Sequence, residues 1–100
     1  MFYELWIEEF VPGKEQEAID LQKRWGAHAE TKGLKPLRIL RPEWGRTNRL
    51  YILAEFESRA QRDETWETLD EVDRGFMKEF LEGGVFVPSG IEHYFFTEAT

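Results

Sequence analysis

Cysteine is absent from the 100 residues. That excludes disulfides, thiolate nucleophiles and cysteine-based zinc or iron–sulfur sites. No apolar run approaches the ~20 residues needed to cross a bilayer, so no membrane span is expected. Positive charge is scarce: 13 Lys and Arg against 20 Asp and Glu leave a net charge of −7. Such a balance argues against nucleic acid as a partner. Gly-rich phosphate loops, nucleophile elbows and metal-ligand spacings are missing too. Met1 to Phe10 holds three glutamates and no basic residue, unlike a signal peptide, and a cytoplasmic protein is the expectation.

What is present suffices for an ordered domain. Hydrophobic residues make up 41% and aromatics 15%, far from the composition of disordered chains. The length fits a single domain over residues 1–100. A chain of this size buries roughly two-thirds of its unfolded surface, enough for a thin core.

Periodicity divides the chain. Phe2 to Val11 alternates, with Tyr3, Leu5 and Ile7 against Phe2, Trp6 and Phe10, and reads as a strand ended by Pro12-Gly13. Lys14 to Lys32 changes to helical spacing, with Ala18, Leu21, Trp25, His28 and Ala29 in one stripe and Gly33 as the natural stop. Leu34 to Trp44 reads as a second strand, kept short or at an edge by Pro36 and Pro42. Gly45 to Asn48 is a turn, and Arg49 to Glu57 a third strand, predicting a hairpin. Ser58 and Gln61 fit a capping box opening a helical region to about Glu82, with a break near Asp70–Asp73. Gly83-Gly84 stops it, and Ile91 to Thr97 forms the last strand, His93 and Phe95 opposed to Tyr94 and Phe96.

The order strand, helix, strand, strand, helix, strand is the split βαβ, or ferredoxin-like, arrangement (βαββαβ). This α+β fold has a four-stranded antiparallel sheet with both helices on one face. The other face then carries large apolar groups such as Trp6, Phe10 or Tyr94, depending on register. A twofold dimer packing sheet on sheet would cover them.

Two stretches carry a resemblance. YELWIEEFVPGKEQEAIDL resembles the opening of NIPSNAP-type domains, a strand followed by Pro-Gly-Lys and a helix. GRTNRLYILAEFESRAQRDETWETL is similar to the NIPSNAP stretch in which Gly and Asn precede a strand ending in aromatic-Glu-Ser. The anchors are Pro12-Gly13-Lys14, Gly45, Asn48 and Phe56-Glu57-Ser58. NIPSNAP domains belong to the dimeric α+β barrel superfamily, so the resemblance implies a homodimer whose two sheets form a barrel. It also implies a ligand or active site between one subunit's sheet and its helices. Many relatives carry a His four residues after the Asn; this chain has Ile52 there, and no role of that His carries over. Superfamily members range from cofactor-independent monooxygenases and haem enzymes to isomerases, so the fold alone does not choose a function. Haem-degrading members use an Asn on the first strand, which Phe2–Val11 lacks; no cofactor is expected.

The leading expectation is a small apolar or aromatic ligand held between sheet and helices by Trp25, Trp66, Tyr51 and His93. The alternative is a cofactor-independent monooxygenase or isomerase with His28 as base. Each residue also has a plainer reading. His28 suits a helix C-terminus, His93 an aromatic strand, and the tryptophans a thin core. Asp73 is either a buried carboxylate or part of a helix cap beside Asp70. The strand glutamates Glu4, Glu8, Glu55, Glu57 and Glu92 read as solubilising or arginine-paired rather than as acid–base pairs. Residues 34–54 carry Lys35, Arg38, Arg41, Arg46 and Arg49 against Glu43 alone, while residues 55–82 hold ten acids and four bases. The arginine hairpin either binds an anion or pairs with the acidic helix, and the pairing is the expected outcome.

Overall fold

The computed structural model describes residues 1–45 and 47–100. Strand β1 (Phe2–Glu9) leads into helix α1 (Glu15–Thr31), followed by β2 (Arg38–Leu40) and β3 (Arg49–Phe56). Two helices, α2 (Arg59–Glu67) and α3 (Glu71–Glu82), and a 3-10 turn (Pro88–Gly90) precede β4 (Glu92–Thr97). The sheet order is β2-β3-β1-β4, antiparallel throughout. This is the ferredoxin-like arrangement expected from the alternation of periods.

The caps explain the helix ends. Gly33, at φ +85°, follows α1 in the left-handed conformation that closes a helix without a Cβ clash. Ser58 accepts from the Gln61 amide at 3.2 Å, and the Gln61 side chain accepts from the Glu57 amide at 2.7 Å. Asp70 and Asp73 form a reciprocal capping box, each side chain accepting from the other's backbone amide at 2.8 Å. Asp73 is therefore both cap partner and buried carboxylate, at 1% exposure.

The second strand is shorter than its apolar pattern suggests: only Arg38–Leu40 pairs with β3. Pro36 and Pro42 cannot donate to the ladder, and they trim it from both ends. Beyond β1, Phe10 continues as a single bridge to Phe86. The 3-10 turn packs onto this region, and a Cβ on Gly90 would lie 2.6 Å from the Glu9 Cβ. Only glycine fits there.

Register fixes the faces. Phe2, Glu4, Trp6, Glu8 and Phe10 share the helix side with Leu50, Ile52, Ala54 and Phe56. Ala18 and Leu21 of α1 pack on Phe10, Leu50 and Ile52 to make the main core. Trp6 and Phe10 thus lie under the helices and not on the bare face, a correction to the sequence reading. The bare face holds Leu5, Ile7, Tyr51, Leu53, Tyr94 and Phe96. Tyr94 and Phe96 remain 43% and 47% exposed.

Candidate functional site

The helix-facing stripe of β1 alternates aromatic and acidic residues, so the fold buries two carboxylates under the helices. Glu4 has 0% exposure. Its Oε2 accepts from Arg62 of α2 through Nη2 and through Nε at 3.0 Å. His93 of β4 sets Nε2 2.6 Å from the same oxygen, and Trp66 Nε1 reaches Oε1 at 3.4 Å. The Arg62 guanidinium lies over the rings of Phe95 and Trp66, at 4.8 and 5.2 Å from their centroids. His93 stacks on Trp6 at 4.8 Å with an interplanar angle of 5°. A planar cation against two aromatic rings, paired to a carboxylate, satisfies what burial of both charges demands.

Glu8 is buried differently. Gln22 of α1 donates its side-chain amide to Oε2. No ion pair reaches Glu8 among the described residues. Desolvation pushes its carboxyl up to about 7, against a smaller lowering by the Gln22 hydrogen bond. Two residues of one type, four positions apart on one strand, end in opposite electrostatic situations.

Two cavities flank the indoles of Trp6, Trp25 and Trp66. The smaller, about 40 Å³, extends past Leu34, Leu37 and Phe56 towards Lys32 and Asp73. The larger, about 160 Å³, lies between the sheet, α1 and α3, with Glu8, Gln22, Ile52, Phe76, Met77 and Phe80 in its walls. Trp25 meets Phe76 edge-on at 5.7 Å, and Phe80 packs on Phe86 at 5.4 Å.

The expected site residues separate accordingly. Trp25 and Trp66 line both cavities. Tyr51 does not join them: paired with Ile7, it lies on the opposite sheet face. The correction is one of strand parity, since Leu50 and Ile52 take the helix side. His93 reaches Glu4 and Trp6 rather than a cavity wall. His28 lines neither cavity. Its Nε2 lies 3.2 Å from Asp73 Oδ1 and 3.6 Å from Asp70 Oδ1, with its ring tilted against Trp25 and Phe76. Lys32 bridges the other two carboxylate oxygens, with Nζ 3.2 Å from Asp70 Oδ2 and bonded to Asp73 Oδ2. The Asp70 carboxyl is held down at about 2, first by the Asp73 backbone amide and then by Lys32. His28, Asp70 and Asp73 place one donor atom each within 4.8 Å of one another, a spacing a metal ion could bridge. The Lys32 ammonium already supplies positive charge to both carboxylates.

Three of the four described cations of residues 34–54 find acids on β1, on α1 or just past β3 rather than on α2 or α3. Arg41 pairs with Glu15 at 2.7 Å, Arg49 with Glu9 at 3.1 Å and Lys35 with Glu57 at 3.4 Å. Arg46 lies outside the described residues.

Glu4 and Glu8 are the residues that sequence reasoning undervalued. The signal was available: both share parity with Phe2, Trp6 and Phe10, so any register burying the aromatics buries the glutamates too.

The architecture is that of NIPSNAP-domain structures. An uncharacterized NIPSNAP domain protein from Burkholderia xenovorans superposes with a TM-score of 0.79 at 18% identity, covering 99% of this chain and 95% of its own. A NIPSNAP family protein from Agrobacterium tumefaciens, described as of unknown function, gives 0.75 at 20% identity over 99% and 88%. A NIPSNAP-like domain protein, also from Burkholderia xenovorans, gives 0.72 at 16% identity over 99% and 85%. The protein is NIPSNAP-like in fold, as the sequence resemblance implies. The sequence itself matches no protein-family profile and none of the curated proteins.

Proposed function

We propose that this protein binds a small apolar or aromatic molecule between sheet and helices, as a homodimer formed through the bare sheet face. The observation that carries the ligand reading is the 160 Å³ cavity walled by Trp6, Trp25, Trp66, Phe76 and Phe80. Its volume is close to the roughly 150 Å³ of an engineered apolar cavity known to take benzene. Aromatic walls beside a few fixed polar groups are the usual make-up of a small-molecule site.

The four indole N–H resonances provide the test. Three tryptophans line the cavity, whereas Trp44 sits 94% exposed in the hairpin connection. Titrating benzyl alcohol should shift the Trp6, Trp25 and Trp66 signals along one saturable curve and leave Trp44 still. Equal shifts in all four, or none, would overturn the reading.

The dimer is supported by the apolar face that the helices leave uncovered, with Tyr94 and Phe96 nearly half exposed. Sedimentation equilibrium should give twice 11.9 kDa at micromolar concentration. Leu53→Lys, which puts a charge at the centre of that face, should shift the protein to monomer. A monomeric native protein would end the dimer reading.

A further inference from the structure

We propose that the larger cavity selects a hydrophobic amine: one ring against the indoles, with the ammonium paired to Glu8. The proposal rests on the cavity being a ligand site, as argued above, and names what that ligand must carry.

The argument begins with the contrast between the two buried glutamates. Glu4 is given its counter-ion by the fold, in the Arg62 guanidinium. Glu8, at 9% exposure, has no cation among the described residues. One of its oxygens, Oε2, is taken by the Gln22 amide, and among the described residues no donor meets Oε1. Burying a carboxylate without a cation is costly, and burial accordingly raises its proton affinity. A carboxylate in this state lacks one partner, and the cavity beside it is where that partner fits.

The rest of the lining agrees. Trp6 and Glu8 of β1, Gln22 and Trp25 of α1, Ile52 of β3, Trp66 of α2, Phe76, Met77, Phe80 and Leu81 of α3, and Ile91 surround the space. Glu8 is the single titratable side chain among them. A ligand carboxylate would meet like charge with no lysine or arginine to offset it. A neutral hydroxyl would satisfy Oε1 as a donor but leave the charge uncompensated. An ammonium does both, and the indole and phenyl faces attract it further. The volume accommodates a single aromatic ring.

Benzylamine, benzyl alcohol and benzoate separate the possibilities, read by the indole resonances and by calorimetry. At pH 8 the amine should bind at least ~10-fold tighter than the alcohol, with benzoate the weakest. Binding an ammonium requires Glu8 to be ionised, so amine affinity should fall roughly tenfold per pH unit below about 7. The alcohol's affinity should stay level across the same range. Glu8→Gln, which keeps the side-chain shape, should abolish both the amine preference and its pH dependence while retaining alcohol binding. Equal affinities for amine and alcohol, with a flat pH profile in the native protein, would overturn the proposal and leave the cavity reading intact. If none of the three shifts the indoles, the cavity reading itself fails.

Discussion

Replacing Arg62 by methionine should lower stability by about 3–5 kcal/mol, the typical cost of removing one partner of a buried ion pair. Glu4 would keep its desolvation penalty and lose the cation that offsets it. His93 and the Trp66 indole would remain, but neither carries a fixed charge. Against a total stability of about 5–15 kcal/mol for a domain of this size, the loss is a large fraction. Urea denaturation at neutral pH would measure it. The double variant Glu4→Met/Arg62→Met removes both charges and should recover most of the loss, because two apolar groups of similar volume need no pairing. A double variant as unstable as the single one would mean that Arg62 acts through packing on Trp66 and Phe95 rather than through Glu4. Both outcomes would be visible in the same set of curves.

Stability should also fall as pH rises, and Glu8 is the reason. Its carboxyl titrates near 7 in the folded protein, against an ordinary value of 4.5. Between those values the folded state holds a proton that the unfolded chain has released. Stability therefore decreases with increasing pH across this window, by about 3 kcal/mol in all. The contribution is fully present below 4.5 and lost above 7. Glu8→Gln should flatten this part of the profile and make the protein more stable than the native form at pH 8. Unfolding free energies at pH 5, 6, 7 and 8, for both proteins, would settle the point. A native profile that rises over this window would show that Glu8 is solvated or paired with a cation. The same variant that gains stability should lose the amine preference, so the two results can be compared directly: the strain at Glu8 and its use are one property.

Much of the fold was legible in the chain because the relevant signals are local. The period of two in Phe2–Val11 and of three to four in Lys14–Lys32 depends only on which residues follow one another. Gly33 ends α1 because it alone adopts the required φ cheaply. The Asp70–Asp73 spacing announces a helix start, and the structure forms it as a reciprocal box. Strand β2 shows where local reading overreaches. Its apolar alternation runs for longer than the pairing, because a ladder needs a donor at each alternate position and proline has none.

The candidate site was legible only in part. Trp25 and Trp66 were recognisable from their helical stripes, since a helix face that packs on a sheet must line any gap between them. Tyr51 has the aromatic character of a cleft residue, but strand parity is not visible without the register, and β3 presents Leu50 and Ile52 to the helices instead. His28 carries the apolar spacing of a cleft residue, yet its imidazole meets Asp70 and Asp73, which lie more than forty positions further along the chain.

By itself, the sequence determined the element order, the ferredoxin-like topology and the apolar stripes that face one another, all consequences of short-range stereochemistry and hydrophobic period. Only the tertiary structure decided which buried glutamate has a counter-ion. Glu4 and Glu8 are the same residue type on the same face of the same strand, and nothing local distinguishes them. Helix α2 brings Arg62 across 58 positions onto Glu4, while α1 brings only the neutral Gln22 to Glu8. A charge in a low-dielectric interior is governed by whatever lies within a few ångströms of it, and that neighbourhood is set by packing between distant segments.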